Sequence, residues 1–408
     1  MSKPILLVAG GTRGDVQPYM ALALGLRQQG YAVTMATSAR WTPWVNHFGV
    51  ALITLPSDPT DLLLTPEYRS ALSLHAGVGA GLLATWRYLQ AARPMMSELL
   101  LYGQRTIFTK SVVVAGLATQ WVAHANLQQP QVIWGLLQPL IPTDAFASPL
   151  WPTTRIPIRW NRMSHRIMNR MLWWPWRING GGVTGGLTQI NRQPALIASS
   201  PALLPAWPDK APQHVVTGLW QMPVSPAIPP AVQQFIDQDA PYIVATFGSP
   251  AANESSALYD TVVAAAAQLG VRLLLQVPPH VTQFVNSDLL LVTYADIPHQ
   301  LVFERAVAVL HHGGAGTFAA ATASGVPSVI VPRGVDQPFW AAQAERLYVA
   351  PSPLSRYTLT TVSLAMHLHD VIYNLDYRHA ARTIARQMSS EQGVANAIQV
   401  LAPYTGTV

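Results

Sequence analysis

Two histidines and three glycines fall within seven residues at His311-His312-Gly313-Gly314-Ala315-Gly316-Thr317, directly after the apolar run AVAVL at 306–310. TFAAATASG follows with the composition of a helix, so the segment reads as a strand-to-helix turn. A helix N-terminus offers free N–H groups and a partial positive charge, and glycines let that backbone approach an anion closely. A tight turn alone would use the glycines but has no need of the histidines.

Three phosphate-cradling sites share this pattern. A Walker A loop is excluded, because it closes on Gly-Lys-Ser/Thr and no lysine is present here. A dinucleotide fingerprint fits better: Gly314, Gly316 and Ala319 give G-x-G-x-x-A, and Asp336 lies 20 residues beyond Gly316. In a nucleoside-diphosphate-sugar site, a histidine and the helix end would hold the diphosphate as it leaves. RGVDQPFWAAQAERL at 333–347 adds the adjacent pair Asp336-Gln337 with Trp340 nearby. Such a pair offers acceptors and donors to several sugar hydroxyls, whereas a ribose-binding acid needs no neighbouring glutamine. The last two readings both stand on these residues.

Such residues need strands to position them. ILLVA (5–9), AVTMA (32–36), SVVVA (111–115), QVIW (131–134) and ALIAS (195–199) are short β-runs separated by helix-length stretches. YIVATF (242–247), RLLLQ (272–276), LLLVT (289–293), AVAVL and PSVIVP (327–332) repeat the arrangement. Alternation of this kind means βαβ units and parallel sheets. At 408 residues the chain has the length for two such α/β domains. The proline-rich WQMPVSPAIPPA at 220–231 marks their boundary. Two doubly wound domains facing each other leave a cleft at the carboxyl ends of their strands, where ligands bind. The first helix is expected to start near Pro18.

Half of the residues are hydrophobic and 11% are charged, which excludes disorder. The absence of cysteine excludes disulfides and thiolate metal sites and fits a cytosolic chain. MSKPILLVAGGTRGD lacks the features of a signal peptide. No run reaches the roughly 18 apolar residues of a membrane span; the stretch 111–142 is broken by glutamines and prolines and reads as two buried strands around a helix. The net charge of +6 points to an anionic partner. Much of it lies in RIPIRWNRMSHRIMNRMLWWPWR at 155–177, with six arginines and four tryptophans. On a helix, Trp160, Met163, Ile167, Met171 and Trp174 share one face, with Trp173 in the same stretch, while Arg159, Arg162, Arg166 and Arg170 are expected to cluster on the opposite side. That is the pattern of an interfacial helix on anionic lipid; a helix packed in the core with a solvated face, or part of a partner interface, is the other reading. No nucleic-acid-binding motif accompanies the arginines.

Residues 294–350, YADIPHQLVFERAVAVLHHGGAGTFAAATASGVPSVIVPRGVDQPFWAAQAERLYVA, resemble the donor-binding signature of GT-B glycosyltransferases of the UDP-glycosyltransferase superfamily, above all the sterol, lipid and glycopeptide-antibiotic groups. GGTRGDVQPYMALALGLRQQGYAVTMAT at 10–37 resembles their acceptor-domain signature, and VTGLW at 216–220, PPAVQQFIDQDAPYIVATFGS at 229–249 and the tail at 389–401 fit as well. The resemblance implies an acceptor domain at 1–219, a linker at 220–238, a donor domain at 239–385 and a C-terminal helix at 386–408 packing back on the first domain.

It further implies that His312, Gly314, Ala315, Gly316, Thr317 and Ser249 hold the diphosphate, that Asp336 and Gln337 bond the donor sugar, and that the backbone of Ile297 meets the nucleobase. Asp15 stands where many relatives carry a catalytic histidine and the sterol-like and antibiotic groups an aspartate, which implies a general base; a loop acid bonded to nearby N–H groups or Arg13 is the plain alternative. His311 is expected to be structural. The base-stacking aromatic of many relatives aligns with Asp296, two residues after Tyr294, and their ribose-bonding glutamate with Ala320, which leaves UDP and dTDP both open. Asp237-Gln238-Asp239 is an incidental acidic pair, and no metal or cofactor is implied beyond the nucleotide sugar itself. The implied reaction is inverting transfer of a hexose to a hydrophobic acceptor by a cytoplasmic enzyme, peripheral on the inner membrane face if the arginine-rich helix engages lipid. An epimerase of the same fold and a noncatalytic nucleotide-sugar or lipid-binding protein are the alternatives.

Overall fold

The computed structural model describes residues 2–58, 60–61, 78–105, 111–119, 132–152, 156–178, 193–223, 227–248, 256–294 and 296–406. They form two compact units, residues 1–223 with 391–408, and residues 224–390.

The first unit is built on a parallel sheet of β1 (Ile5–Val8), β2 (Val33–Ser38), β3 (Ala51–Leu55), β4 (Val112–Ala115), β5 (Val132–Leu136), β6 (Ala195–Ile197) and β7 (His214–Val216). Their order is β3-β2-β1-β4-β5-β6-β7. The strands β3, which carries the apolar run ALITL, and β7, only three residues long, are not among the β-runs expected from the sequence. The helices are α1 (Arg13–Gln28), α2 (Thr42–His47), α3 (Val78–Arg105) and α4 (Asn161–Ile178). α1 begins at Arg13, ahead of the expected start, and takes Pro18 into its interior. It buries Val16, Tyr19, Met20, Leu22 and Leu26 against Ile5, Leu7, Val112, Val114 and Ile133 of the sheet.

In the second unit the strands are β8 (Tyr242–Thr246), β9 (Arg272–Gln276), β10 (Leu290–Thr293), β11 (Ala308–His311) and β12 (Ser328–Ile330), ordered β10-β9-β8-β11-β12. Around them lie α5 (Pro230–Ile236), α6 (Ser256–Leu269), α7 (His299–Phe303), α8 (Ala315–Ala323), α9 (Gln337–Arg346), α10 (Thr361–Tyr373) and α11 (Leu375–Met388). Alternation along β8 divides the core: Ile243 and Ala245 pack on the α6 side, Tyr242 and Val244 against Phe235, Ile236 and Phe303. In both sheets the strand order reverses between the first strand and its fourth, at β1/β4 and at β8/β11. Such a switch point opens a crevice at the strands' carboxyl ends.

The segment 220–238 is structured at both ends. Trp220 is buried in the core of the first unit, and Val232, Phe235 and Ile236 of α5 in that of the second. The C-terminal helix Gly393–Thr405 belongs to the first unit, where Ala397 and Leu401 enter its core. Its N-terminus crosses the Gly218–Leu219 backbone so closely that a Cβ on Gly393 would lie 2.6 Å from the carbonyl carbon of Gly218. Backbone cannot swing aside as a side chain can. Gly393→Ala is therefore expected to cost about 1–3 kcal/mol, seen as a lowered melting temperature and faster proteolysis near residue 391. Unchanged values would refute the crossing.

α4 turns out of register with its expected packing. Asn161, Ser164, His165, Met168 and Asn169 are the buried residues, while Trp160 and Met163 stay half exposed. Two of the inner-face polar side chains bond the 140–148 segment: Asn161 Nδ2 donates to Asp144 O at 2.9 Å, and Ser164 Oγ accepts from Ser148 N at 2.8 Å, while the Asn169 amide nitrogen is buried without a partner. Arg162 leaves the outward stripe for an ion pair with Asp144 (2.8 Å) and Asp209 (2.6 Å). The backbone of Trp173 and Trp174 continues the helix, and their side chains lie outside the described set.

Burial pushes the pKa of His165 down to about 4. His311 is held well below its ordinary value, again chiefly by burial, and His312 goes down to about 4. An unfolded chain would take up three protons as pH falls below about 6.5, whereas the native chain holds these rings neutral. Their contribution to stability is therefore complete above that pH and is lost as pH falls toward 4. Glu391, raised by burial, works in the opposite sense, one group against three. The melting temperature should decline through this window, and less steeply in His165→Gln; a flat profile between pH 7 and 5 would contradict the buried, neutral histidines.

Candidate active site

Each switch point carries a group of the predicted site. After β1 the chain turns at Gly11, with φ of +120°, into α1. Asp15 is the third residue of that helix, half buried, and its Oδ2 accepts from Thr12 N and Thr12 Oγ1, both at 2.8 Å. Thr12 and Asp15 thus form a capping box, which holds the carboxylate at the helix N-terminus where the backbone dipole favours negative charge. Arg13 Nε donates to Gln17 Oε1 at 2.8 Å. A Cβ on Gly11 would lie 2.6 Å from Asp15 Oδ2, so only glycine leaves room for the acid there. Trp41 Nε1 donates to Gly11 O at 3.2 Å and braces the same turn.

One turn beyond Asp15, Tyr19 is buried and donates to Gly135 O at 2.5 Å. Gly116 and Gly135 are the floor it lies on; a Cβ on Gly135 would fall 2.9 Å from Tyr19 Cζ. Burial, and after it the charge of Asp15, raises the Tyr19 pKa well above its ordinary value. Sequence reading missed Tyr19, whose position i+4 from Asp15 was the available signal.

In the second unit β11 ends at His311, which is buried and accepts from Gly313 N through Nδ1 at 3.0 Å. His311 therefore shapes the turn, as its expected structural role requires. Gly313 has φ of +85°, and a Cβ there would lie 2.9 Å from Ile330 Cγ2. The His312 ring lies over two glycines: a Cβ would fall 3.0 Å from it on Gly248 and 2.5 Å from its Nε2 on Gly314. Burial and then the Arg333 guanidinium hold its pKa near 4, so the imidazole is neutral at pH 7.

Gly314 caps α8 without a side chain, and no acid stands in the first turn. The N–H groups of Ala315, Gly316 and Thr317 thus begin the helix with no side-chain cap. Around Gly316 an added Cβ would meet nothing within 4 Å, so the backbone is open to a ligand there. Thr317 is buried. Ser249 lies outside the described residues.

Asp336 and Gln337 open α9 and abut the same turn, with Gln337 O 3.2 Å from the Cβ position of Gly313. Two of their oxygens already have partners: Asp336 Oδ2 accepts from Trp340 Nε1 at 2.9 Å, and Gln337 Oε1 from Arg333 N at 2.7 Å. The bonds orient both side chains and leave the Gln337 amide nitrogen as the donor of the pair. Between them and Arg333, Val335 is held at φ of +58°, a strained conformation for a β-branched residue. Ile297 is buried among Val302, Phe303 and Val309, which leaves its backbone as the part able to meet a base. Tyr294 is exposed and donates to Val281 O at 3.1 Å.

Residues 5–97 match the N-terminal domain of glycosyltransferase family 28, and residues 260–402 match the erythromycin biosynthesis protein CIII-like C-terminal domain. The chain has the fold of the GT-B glycosyltransferases. Among their number, the O-mycaminosyltylonolide 6-deoxyallosyltransferase of Streptomyces fradiae is 29% identical, with 99% of this chain and 98% of that protein aligned. The sterol 3-beta-glucosyltransferase of Pichia angusta is 26% identical over 97% of this chain, which spans only 33% of that longer protein. Of solved GT-B structures, the glycotransferase of kitacinnamycin superposes with a TM-score of 0.69 at 18% identity, with both chains covered in full. VinC, in complex with dTDP, gives 0.65 at 16% identity, covering 98% of this transferase and 99% of its own chain.

Proposed function

We propose that this transferase moves a hexose, with glucose the first candidate, from a UDP- or dTDP-sugar to a hydroxyl of a hydrophobic acceptor such as a sterol, a lipid or a macrolide-like aglycone. The observation that carries the donor half is the arrangement of the His312 ring, the uncapped α8 N-terminus and the Asp336-Gln337 pair around one glycine turn. Relatives named for sterol and for a macrolide substrate support the acceptor class, and neighbours bound to thymidine diphosphate support the nucleotide.

In this reading Asp15 removes the proton from the acceptor hydroxyl. The oxygen attacks the anomeric carbon from the face opposite the diphosphate, the carbon–oxygen bond to phosphate breaks, and an α-linked donor yields a β-glycoside. Charge developing on the leaving diphosphate is met by the N–H groups of Ala315 to Thr317, the Thr317 hydroxyl and the neutral His312 N–H. No divalent metal is needed for that step.

The experiment is release of nucleoside diphosphate from UDP-glucose and dTDP-glucose, with and without sterol, diacylglycerol and macrolide acceptors, in the presence of EDTA. Release confined to one acceptor class, with a β-linked product by NMR, is the expected result. Sugar conversion without any acceptor would favour an epimerase, and nucleotide binding with no turnover in any mixture a noncatalytic protein. A requirement for added metal would overturn the metal-free step.

A further inference from the structure

The entry to α4 departs from the usual arrangement of a surface helix, in which apolar residues face inward, although Met168 further along is buried. The polar side of α4 is docked on the 140–148 segment, and the apolar residues of its entry remain in solvent: Ile158 is 77% exposed, Trp160 50% and Met163 41%. Arg159, Arg166 and Arg170 are exposed beside them. On the neighbouring α3, Leu83 and Trp86 are exposed as well. The local sequence is one-sided in charge. Between residues 68 and 208 stand twelve of the 25 Lys and Arg, nine of the 13 Trp, and two of the 19 Asp and Glu. Of those two acids, Asp144 is paired with Arg162 and Glu98 is bonded by Ser57.

We propose that this outward face, Ile158, Trp160 and Met163 with Arg159, Arg166 and Arg170, docks the chain on the surface of an anionic lipid bilayer. Aliphatic and indole groups enter the acyl boundary while guanidinium groups meet lipid phosphates. Nucleic acid would reward the arginines and stack on Trp160, but gives Ile158 and Met163 nothing to bury against. A second copy of the face would bring like charges together. Among the described residues no helix is long and apolar enough to cross a membrane, so the contact is interfacial. The proposal does not depend on the glycosyl-transfer reading, and its test uses no substrate.

The full chain would be floated with vesicles of phosphatidylcholine alone and of phosphatidylcholine with phosphatidylglycerol. Binding only to the anionic vesicles is expected. Arg166→Ser/Arg170→Ser should weaken it about 30-fold, and Ile158→Ser/Trp160→Ser should weaken it too. Arg386→Ser, an exposed cation of the other unit, should leave it unchanged. These positions are exposed, and unchanged circular-dichroism melting of each variant verifies the fold. The proposal fails if neither vesicle binds, if neutral and anionic vesicles bind alike, or if the Ile158/Trp160 variant binds as the parent does. It fails equally if a single-stranded oligonucleotide displaces the chain from vesicles, or if the parent is a dimer that Ile158→Ser/Trp160→Ser dissociates.

Discussion

Asp15→Asn should lower kcat by about 10²–10⁴-fold and leave the melting temperature in place. Asparagine keeps an oxygen able to accept from Thr12 N and Thr12 Oγ1, so the capping box survives while the base is gone. Asp15→Ala should show the same kinetic loss together with about 1 kcal/mol of lost stability. The pair of variants separates the helix cap that Asp15 forms from the proposed role as base. An Asp15→Asn enzyme with full activity would leave Asp15 as a helix cap and send the search for the base elsewhere, with Tyr19 a poor substitute, since burial keeps it protonated.

The second large effect is expected on the donor side. His312→Ala removes the ring that covers Gly248 and Gly314 and one donor to the diphosphate. Loss of such a donor typically costs about 10²–10³ in rate. Weaker binding of UDP or dTDP by calorimetry should accompany it, and His312→Gln, which keeps an N–H, should recover part of both. Because the ring is already neutral well below pH 7, its protonation should not shape the rate between pH 6 and 8. Undiminished turnover and nucleotide affinity in His312→Ala would reduce the histidine to packing.

Much of this architecture was legible along the chain. The strands β1, β4, β8, β9 and β11 are short apolar runs bounded by turns, and their alternation with helices admits few topologies. The glycine turn at 313–316 and the Asp336-Gln337 pair were legible for the same reason: local backbone chemistry specifies them within a few residues. β7 was not, because a three-residue edge strand gains its stability from the neighbouring strand rather than from its own composition, whereas the run ALITL of β3 was available in the sequence.

The sequence by itself determined the two α/β units, the presence of strand-to-helix turns after ILLVA and AVAVL, and the excess of positive charge. Tertiary structure alone decided what the site residues touch. It joined Asp15 to Thr12, set Tyr19 on Gly135, laid His312 over Gly248 and tied Asp336 to Trp340. It also chose which face of α4 is buried, against the apolar pattern. That choice rests on hydrogen bonds that join Asn161, Ser164 and His165 to a segment 16 to 19 residues earlier in the chain. Periodicity measures only the apolar contribution to burial, and a buried polar side whose partners lie elsewhere in the chain leaves no trace in it.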